Sequence, residues 1–507
     1  MDNKFKKHNE LISILKKYKK NKKKIVLCHG VFDVLHSGHI MHFREAKAHG
    51  DILIVSITDD KFINKGPNRP FYNLDQRMKM VSSLSIVDLV IPSLEVTAIS
   101  NLSLIKPDLY CKGLDYKNEK DDLTNNIIRE KNILKKNKGK IIYTKSPKHS
   151  SSNILKSEFN FINNEQKAYL KKFKNDSSLK LRDYFKKIEN LRVLVIGEII
   201  IDSYIFGEAV GKSSKDPIIV LNENQTENYL GGAGSIAKNM SSFSKNVTLL
   251  TLNKKNCPKN TFIKNEINNS FKVKYFNKNN FKTITKKRFV ESINNRKLLG
   301  LYDLNDDLID PMNENKIINF LKANKSRYDV VVIADYGHGF ISDKIASCIS
   351  MYYKKSFLNS QINSFNVRSQ NINKYKKSFC IIINESELRL DLRDSNNDIN
   401  HLSNIFFSKY KIKVLVITSG SKGATIFFSN TQLKSIHCPA FGSEILDKTG
   451  SGDSLLTLFS LCQTSGMRDE LSILIGSLAA AESLKHIANS NLINKNNIIK
   501  SVENLLA

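Results

Sequence analysis

Two short apolar segments, each followed at once by a glycine-containing loop, constrain the fold of this chain more than any other feature. The first covers residues 24–28 (KIVLC) and the second covers residues 192–196 (RVLVI). Short β-branched runs that are apolar on both faces are typical of the parallel strands of an α/β sheet. The sequence therefore predicts two α/β units, one beginning near each segment.

The segments that follow strengthen this prediction, because helical patterns alternate with further short apolar strands. Such alternation indicates doubly wound sheets and argues against an all-α or an all-β fold. We expect strands at 51–58, 87–91 and 140–144 after the first segment, and at 247–252, 330–333, 380–383 and 414–418 after the second.

Between the two units, residues 160–190 show no strand pattern, and apolar residues recur there at helical intervals in a charged background. This pattern predicts a helical connector. The predicted organisation is a first domain at 1–159, a connector at 160–190 and a second domain at 191–507.

The chain is strongly basic, with a formal net charge of +30 over 507 residues. Such a charge favours an anionic partner, whether nucleic acid, membrane surface or nucleotide. The lysines are spread along the chain without an aromatic-rich basic stripe, so we expect small phosphate-bearing partners rather than nucleic acid. The most apolar stretch, 471–484, is shorter than the about 18 residues of a membrane span, so no membrane partner is expected.

The seven cysteines are scattered along the chain, and no two of them form a Cys-x-x-Cys pair. An odd and widely spaced set indicates neither a disulfide framework nor a zinc site. We therefore expect a protein of the reducing cytoplasm.

Directly after the first apolar segment stand two histidines three residues apart, His36 and His39, with Gly38 between them. At the start of a helix, residues at this spacing share one face, and a helix N-terminus favours bound phosphate. Positioned imidazoles can stabilise the charge that develops on an α-phosphate during in-line nucleotidyl transfer. The alternative interpretation is a pair of surface or capping histidines.

From residue 24 to about residue 158 the chain resembles the cytidylyltransferase-like family of HUP-type nucleotidyltransferases, in particular the heptose-1-phosphate adenylyltransferases. Besides the histidine motif, the likeness rests on the basic loop 64–70, the helix start 76–78, the segment 106–116 and the serine-rich loop 150–153. It implies a Rossmann-like (HUP-type) nucleotidyltransferase domain. ATP is the preferred nucleotide, and CTP is the alternative.

The same resemblance implies roles for individual residues. His36 and His39 would contact the triphosphate and the transition state. The other nucleotide-binding residues it implies are Gly30, Phe32 and Asp33 in the turn, Lys65 and Lys112 at the phosphates, and Ser151, Ser152 and Asn153 at a later helix start. For each lysine taken singly, a solvated surface charge is the alternative.

A second phosphate motif, residues 447–454 (DKTGSGDS), directly precedes an apolar helical run. The glycines of a Gly-x-Gly at a helix N-terminus expose amide donors to a phosphate. Asp453, directly after the second glycine, could accept the proton of an attacking hydroxyl. The alternative is an ordinary turn followed by a helix cap.

Residues 190–500 resemble the ribokinase, or PfkB, family of carbohydrate kinases. The motifs that carry the likeness are 197–202, 231–239, 384–387, 418–423 and 447–454. The resemblance implies a ribokinase-like three-layer α/β/α domain in which Asp453 is the general base. It implies an anion hole of Thr449, Gly450, Ser451 and Gly452, a nucleotide loop with Ser419, Gly420 and Gly423, hydrated Mg²⁺ organised by Asn384 and Glu387, and a sugar site of Asp202, Gly231, Gly232 and Asn239.

Three further segments, 212–217, 283–288 and 334–337, resemble heptose-phosphate kinases, and Lys286 and Arg288 could grip a phosphate on the sugar. For Asp202, a turn or helix-cap aspartate is the alternative interpretation.

The expected function is therefore a bifunctional enzyme that phosphorylates a sugar, a heptose 7-phosphate by preference, and couples a sugar 1-phosphate to a nucleotide for lipopolysaccharide or another surface glycan. Its domain order is the reverse of the best-known bifunctional heptose enzyme. Partners would be sugar phosphate and nucleotide, with a homodimer through the kinase domain left open. The alternatives are the same pair of activities on another sugar or polyol phosphate, or a nucleic-acid-binding protein on an enzyme fold that has lost catalysis.

Overall fold

The computed structural model describes residues 4, 8–63, 69–95, 97–113, 126–144, 162–173, 181–254, 257–278, 281–304, 307–361, 366, 372–375, 378–429, 435–442 and 445–506. The chain divides into two compact units, residues 1–164 with 499–507, and residues 165–498. Each unit is described by itself.

The first unit contains the strands β1 (Ile25–Gly30), β2 (Ile52–Thr58), β3 (Leu89–Ser93), β4 (Leu109–Gly113) and β5 (Lys140–Thr144). All of them are parallel, in the order β3-β2-β1-β4-β5. The helices between and before them are α1 (His8–Lys20), α2 (Ser37–Ala48), α3 (Leu74–Ser82), α4 (Ile99–Ile105) and α5 (Asn126–Lys136).

Strand β1 is apolar at successive positions because both faces of the sheet are covered. Val26 and Cys28 belong to one buried cluster with Phe43 of α2, whereas Ile25 and Leu27 belong to a second cluster on the opposite face. The order of the strands reverses between β1 and β4, and open α/β sheets bind their ligands at such a point, beyond the carboxyl ends of the strands. The predicted Rossmann-like domain is confirmed.

The large sheet of the second unit has nine strands. They are β6 (Arg192–Gly197), β9 (Asn246–Asn253), β10 (Lys272–Asn277), β13 (Val330–Asp335), β14 (Ser356–Ser360), β15 (Cys380–Asn384), β16 (Val414–Thr418), β17 (Ala424–Phe428) and β18 (Ser435–Cys438). The order is β10-β9-β6-β13-β14-β15-β16-β17-β18. The first seven strands in this order are parallel, and β17 and β18 pair antiparallel.

The helices of the rest of the chain are α6 (Asn164–Lys171), α7 (Leu181–Asn190), α8 (Ala233–Ser241), α9 (Lys259–Ile267), α10 (Pro311–Ala323), α11 (Asp343–Tyr352), α12 (Glu385–Leu392), α13 (Ile399–Lys409), α14 (Ser451–Thr464), α15 (Asp469–Ser483) and α16 (Lys495–Leu506). Helices α6 and α7 lie in the stretch for which we predicted a connector. Among the described residues, no helix is both long enough and apolar enough to cross a membrane.

The structure contains a third sheet that the prediction of two doubly wound sheets did not include. The strands β7 (Ile199–Lys212), β8 (Ile219–Gly232), β11 (Ile284–Glu291) and β12 (Arg296–Asp303) form a separate sheet in the order β12-β11-β7-β8, here called the small sheet. Only β11 and β7 run parallel. The prediction missed it because most of β8 and all of β12 are exposed or nearly so, and their sequences do not form the short apolar segments typical of strands buried on both faces.

Candidate active sites

The two predicted catalytic histidines lie together at the start of α2, beyond the carboxyl end of β1. His36 is the last residue before the helix, with extended backbone dihedral angles, and His39 lies in the first turn. Their rings stack with centroids 3.8 Å apart and an interplanar angle of 23°. The edge contact of Phe32 with the His39 ring, at 5.4 Å between centroids, fixes the ring from a second side. The two imidazole rings therefore lie side by side at the start of α2.

The turn that leads from β1 to this helix is strained. Phe32 and Val34 have φ values of +48° and +51°, in the left-handed region that side chains with a Cβ disfavour. The aromatic ring of Phe32 folds back against the backbone of Gly30, where a Cβ would lie 3.0 Å from the ring. Strain of this kind persists only where neighbouring contacts hold the backbone, and it is frequent at functional sites.

The contact that holds the turn is made by Asp33, which is completely buried. Its carboxylate accepts hydrogen bonds from Arg69 Nε at 2.8 Å and from the amides of Phe71 at 2.9 Å and Tyr72 at 3.1 Å. Asp33 therefore ties the histidine turn to the loop that follows the predicted basic loop. This geometry agrees with a role in shaping the turn, which remains a prediction.

Arg77 in α3 is a second anchor, whose role the sequence did not reveal. Its side chain is fully buried, and it donates to Val31 O at 2.7 Å, to Thr58 O at 2.9 Å and to Tyr72 O at 2.8 Å. It also pairs with Asp60. One guanidinium thus satisfies carbonyls from β2, the histidine turn and the loop before α3.

Lys112, predicted to neutralise phosphate, lies at the end of β4 and is almost fully buried. Its Nζ forms an ion pair with Glu130 Oε2 at 3.0 Å and lies 5.0 Å from the Tyr110 ring centroid. Burial and, secondarily, the Lys112 charge lower the pKa of His29 to about 3 and that of His42 to about 4. Both imidazoles are therefore neutral near pH 7.

Four residues that the resemblance places at the nucleotide, Lys65, Ser151, Ser152 and Asn153, lie outside the described residues. Their predicted roles remain predictions.

In the second unit, the Gly-Ser-Gly motif forms the N-terminus of α14. Gly450 precedes the helix with φ of +83°, and a Cβ there would lie 2.3 Å from Asn489 Oδ1, so only glycine fits. Within the described part of the chain, the amides of Gly450 and Gly452 donate to no backbone carbonyl, and Ser451 N–H reaches Lys448 O only at 3.5 Å. These donors remain available to an anion at the positive end of the helix.

Asp453 lies in the first turn of the same helix and is half-buried. Its Oδ1 accepts a hydrogen bond from the Tyr336 hydroxyl at 3.0 Å. Burial, reinforced by the charge of Asp202, raises the pKa of Asp453 to about 7, against the opposing effects of Tyr336 and Lys286. A carboxylate with this pKa can exchange a proton at neutral pH, as a general base requires. Tyr336 belonged to a recognised motif, but its contact with Asp453 was not predicted.

The loop before the helix is anchored to the small sheet through Asp447, which is buried. Its carboxylate accepts from Lys297 Nζ at 2.5 Å and from the Tyr204 hydroxyl at 2.5 Å. It also accepts from the amide and hydroxyl of Thr449, at 3.0 and 2.9 Å. Although burial acts in the opposite direction, these hydrogen bonds hold the pKa of Asp447 well below its usual range. Thr449 is thereby fixed beside the exposed amides.

Asp202 lies on β7, and its Oδ1 binds Arg288 Nη1 of β11 at 2.5 Å. A Cβ on Gly231 would lie 2.2 Å from Asp202 Oδ2, so β8 can approach this carboxylate only with glycine at position 231. Lys286, two residues before Arg288 on β11, has its pKa lowered by burial. Gly232 directly precedes α8. The structure therefore groups these predicted sugar-binding residues.

Asn239 lies on α8 and is buried. Its Oδ1 accepts a hydrogen bond from Ile493 N–H at 3.2 Å, so this oxygen is engaged within the protein.

Asn384 and Glu387, predicted to organise magnesium, form a reciprocal capping box at the start of α12. Asn384 Oδ1 accepts from Glu387 N–H, and Glu387 Oε2 accepts from Asn384 N–H, both at 2.8 Å. This arrangement explains the Asn-x-x-Glu spacing as a helix cap, and it commits one oxygen of each side chain to an amide. The role of the pair in organising hydrated Mg²⁺ remains a prediction.

The predicted nucleotide loop lies beside this cap. Ser419 Oγ donates to Glu385 Oε2 at 3.0 Å, and Gly420 begins a 3₁₀ turn that extends to Lys422. Gly423 follows this turn and contacts the carbonyl of Cys438 so closely that a Cβ would overlap it.

Comparison with known proteins assigns both units. A family model described as cytidylyltransferase-like matches residues 27–205. A model described as pfkB family carbohydrate kinase matches residues 190–495, which is more than half of the chain. The chain belongs to the pfkB family of carbohydrate kinases. This pfkB-family chain therefore carries a cytidylyltransferase-like segment ahead of its kinase unit, in the order that the motifs predicted.

Two curated relatives of this chain are named as bifunctional proteins. The bifunctional protein HldE of Aliarcobacter butzleri is 27% identical over 299 residues, which are 57% of this chain and 60% of that protein. The bifunctional protein HldE of Pseudomonas putida is 45% identical over 98 residues, or 19% of this chain and 21% of that protein. The chain thus spans less than two thirds of the length of these relatives.

Solved structures resemble the pfkB-family unit in fold. Phosphofructokinase-2 from Escherichia coli, with 12% identity, gives a TM-score of 0.51 over 62% of this chain and 99% of its own. Ribokinase from Giardia lamblia, also with 12% identity, gives a TM-score of 0.50 over the same fractions. At such identities the likeness shows the fold alone, and it confirms the predicted ribokinase-like architecture.

Proposed function

We propose that this chain is a bifunctional enzyme of nucleotide-sugar synthesis. The pfkB-family unit transfers the γ-phosphoryl group of MgATP to a sugar, by preference a heptose 7-phosphate, at its anomeric hydroxyl. The first unit joins a nucleotide, ATP in preference to CTP, to a sugar 1-phosphate and releases pyrophosphate. The relatives named bifunctional protein HldE support the pairing of two activities.

One observation carries the kinase half: Asp453 and the uncommitted amides of Gly450 and Gly452 lie at the same helix end. Asp453 takes the proton of the attacking hydroxyl, and the amides hold the oxygens of the transferring phosphoryl group. Phosphoryl transfer depends mainly on such alignment and charge stabilisation. Mg²⁺ enters as part of the nucleotide substrate, since it commonly binds through substrate phosphates and keeps several waters.

The stacked pair of His36 and His39 carries the nucleotidyltransferase half. When the oxygen of the sugar phosphate attacks the α-phosphate, negative charge grows on the α-phosphate oxygens. The two imidazoles and the N-terminus of α2 are positioned to stabilise that charge. Asp33 and Arg77 act through the backbone, because they hold the turn that carries the histidines.

The two reactions do not join directly when the substrate is a heptose 7-phosphate. The kinase produces a 1,7-bisphosphate, and the 7-phosphate has to be removed before the nucleotidyl transfer gives a nucleotide-sugar. A separate phosphatase supplies that step. Because ATP and sugar phosphates are cytoplasmic metabolites, we place both reactions in the cytoplasm.

We also propose that two copies pair through the small sheet. Apolar side chains are exposed on its edge strands, among them Ile219 at 66%, Leu299 at 63% and Leu301 at 55% of their surface. Light scattering of the wild-type chain should give the mass of two chains. The double variant Leu299→Lys, Leu301→Lys should give the mass of one chain. A wild-type mass of one chain would reject the pairing.

The test of the two activities uses the full chain with separate substrates. With a heptose 7-phosphate, ATP and Mg²⁺, mass spectrometry should detect a heptose bisphosphate and ADP. With a heptose 1-phosphate and either ATP or CTP, it should detect the nucleotide-sugar and pyrophosphate, with ATP preferred. Turnover of a different sugar or polyol phosphate from a panel, and none of the heptose, would reassign the substrate. No turnover with any of them would reject the proposal.

A further inference from the structure

Three side chains of types that bind transition metals converge beneath the histidine turn of the first unit. Cys28 of β1 and Cys111 of β4 are register partners in the parallel sheet, and both thiols are completely buried. His42 lies on α2, which covers the same face of the sheet. One potential ligand atom from each of the three residues lies within 4.8 Å of the other two.

These distances suit a single small cation. With metal–sulfur bonds of about 2.3 Å and metal–nitrogen bonds of about 2.0 Å, tetrahedral ligand atoms stand about 3.5–3.8 Å apart. Side-chain rotations that close the present separations by about 1.3 Å or less would reach that geometry. Two thiolates and an imidazole favour Zn²⁺ among the common ions, because thiolate is a soft ligand and Zn²⁺ accepts three protein ligands with a fourth position for water.

The surroundings of His42 also match those of a metal ligand. Its Nδ1 lies 2.8 Å from the hydroxyl of Thr144 at the end of β5. An oxygen at one ring nitrogen fixes the ring orientation and leaves the other nitrogen, here Nε2, as the potential metal ligand. Thr144 in turn donates to Lys112 O at 3.3 Å, so the imidazole is attached to the strand next to Cys111.

The charge balance permits an ion at this depth. Cys28 and Cys111 belong to a buried cluster with Val26, Phe43 and other apolar residues, where an unbalanced charge would be costly. Zn²⁺ with two thiolates and a neutral imidazole has no net charge. The nearby ammonium of Lys112 is already balanced by Glu130.

We propose that Cys28, His42 and Cys111 form a Zn²⁺ site with water at the fourth position. Binding releases the two thiol protons to solvent, and no redox step is involved. The ion would join β1, β4 and α2, the three elements that carry the histidine turn, Lys112 and the catalytic histidines. His42 follows His39 by three residues, so the site would brace the helix one turn beyond the proposed nucleotide contacts. This proposal does not depend on the proposed activities, because its test measures metal and stability.

The first experiment measures metal in the full chain purified without chelator under reducing conditions. Elemental analysis should find one zinc per chain after dialysis. Removing zinc with a chelator should lower the unfolding temperature of the first unit, and adding Zn²⁺ should restore it, since a ligand that binds only the folded state stabilises it. Co²⁺ added to the metal-free chain should give thiolate charge-transfer absorption and the visible bands of a tetrahedral ion.

Variants then assign the ligands. Cys28→Ala, Cys111→Ala and His42→Gln should each lose bound zinc and the response of the unfolding temperature to Zn²⁺. Cys462→Ala is the matched control, because Cys462 is equally buried but lies in the second unit, and it should retain both. His42 is only half-buried, so His42→Gln keeps the test valid if a cysteine variant fails to fold.

Three results would overturn the proposal. The first is a wild-type chain that retains no zinc and shows no thiolate absorption with Co²⁺. The second is equal zinc content in the wild type and His42→Gln. The third is a mass two hydrogens below the reduced value with Cys28 linked to Cys111, which would identify the pair as a disulfide instead.

Discussion

Replacing Tyr336 by phenylalanine isolates the one hydrogen bond that the structure shows, among the described residues, between the Asp453 carboxylate and another side chain. The tyrosine hydroxyl donates to Asp453 Oδ1 at 3.0 Å, which favours the charged carboxylate. A hydrogen bond to a charged group contributes about 1.5–3 kcal/mol, and a pKa difference of one corresponds to about 1.4 kcal/mol. Loss of the bond should therefore raise the pKa of Asp453 by about 1–2 from its value of about 7.

The direction in which the pH profile moves follows from the proposed role of Asp453 as general base. A general base is active when deprotonated, so sugar phosphorylation rises with pH through the pKa of Asp453. In Tyr336→Phe the acid limb of kcat/KM should therefore lie at a pH about 1–2 higher than in the wild type. Because half of Asp453 is deprotonated at pH 7 in the wild type, the rate at pH 7 should fall by about fivefold if the limb moves by one pH unit, and by about fiftyfold if it moves by two.

The assay measures ADP release at each pH over sugar phosphate concentrations that extend from well below KM to saturation, which gives kcat/KM at each pH. Tyr353→Phe is the matched control, because this buried hydroxyl donates to Leu321 O at 2.9 Å and not to a carboxylate. Its pH profile should match the wild type. An acid limb that stays in place in Tyr336→Phe, with only the plateau lowered, would refute the assignment of that limb to Asp453.

The two activities should separate by mutation: His39→Ala should abolish nucleotidyl transfer and spare sugar phosphorylation, and Asp453→Asn should do the opposite, both read from product masses. Gly450→Ala should lose kinase activity because its Cβ would meet a side-chain oxygen 2.3 Å away, whereas Gly466→Ala, at a similar φ with open space around it, should retain activity despite the same backbone cost. Arg77→Met should destabilise the first unit by about 3–5 kcal/mol in chemical denaturation, since it leaves three carbonyls and a carboxylate without their donor. A loss below about 1 kcal/mol would show that water replaces the guanidinium.

Short apolar parallel strands were the part of the fold that the sequence predicted well. The predicted strands at 140–144 and 414–418 coincide with β5 and β16, because an apolar run between turn residues has few alternatives. Strand β4 was missed, since its sequence, LYCKG, contains no β-branched residue and ends in lysine and glycine. The small sheet was missed for a different reason. Its strands β8 and β12 are largely solvent-exposed, and the pairing of β11 with β7 joins residues more than 80 positions apart, so no local pattern indicates the sheet.

The candidate sites show a similar division. The motifs around His36 and Asp453 were visible because a helix start next to a strand or glycine turn is local in sequence. The contacts that tune those residues are not local. Tyr336 is 117 residues from Asp453, and nothing in the spacing indicates their hydrogen bond. At Asn384 the same spacing has two interpretations, because the Asn-x-x-Glu assigned to magnesium chemistry is also the spacing of the capping box that the structure shows.

The left-handed backbone at Phe32 and Val34 has a consequence for how this protein can change over time. Each such residue costs about 1–3 kcal/mol, and for Val34, a β-branched residue, the cost is at the higher end. Glycine at position 34 would relieve this backbone strain. The greater conformational freedom of glycine in the unfolded chain would offset part of the gain in folding stability. Under the proposed function, glycine at this position would also loosen the turn that leads to His36 and His39. Stability and turnover would then place opposite demands on position 34.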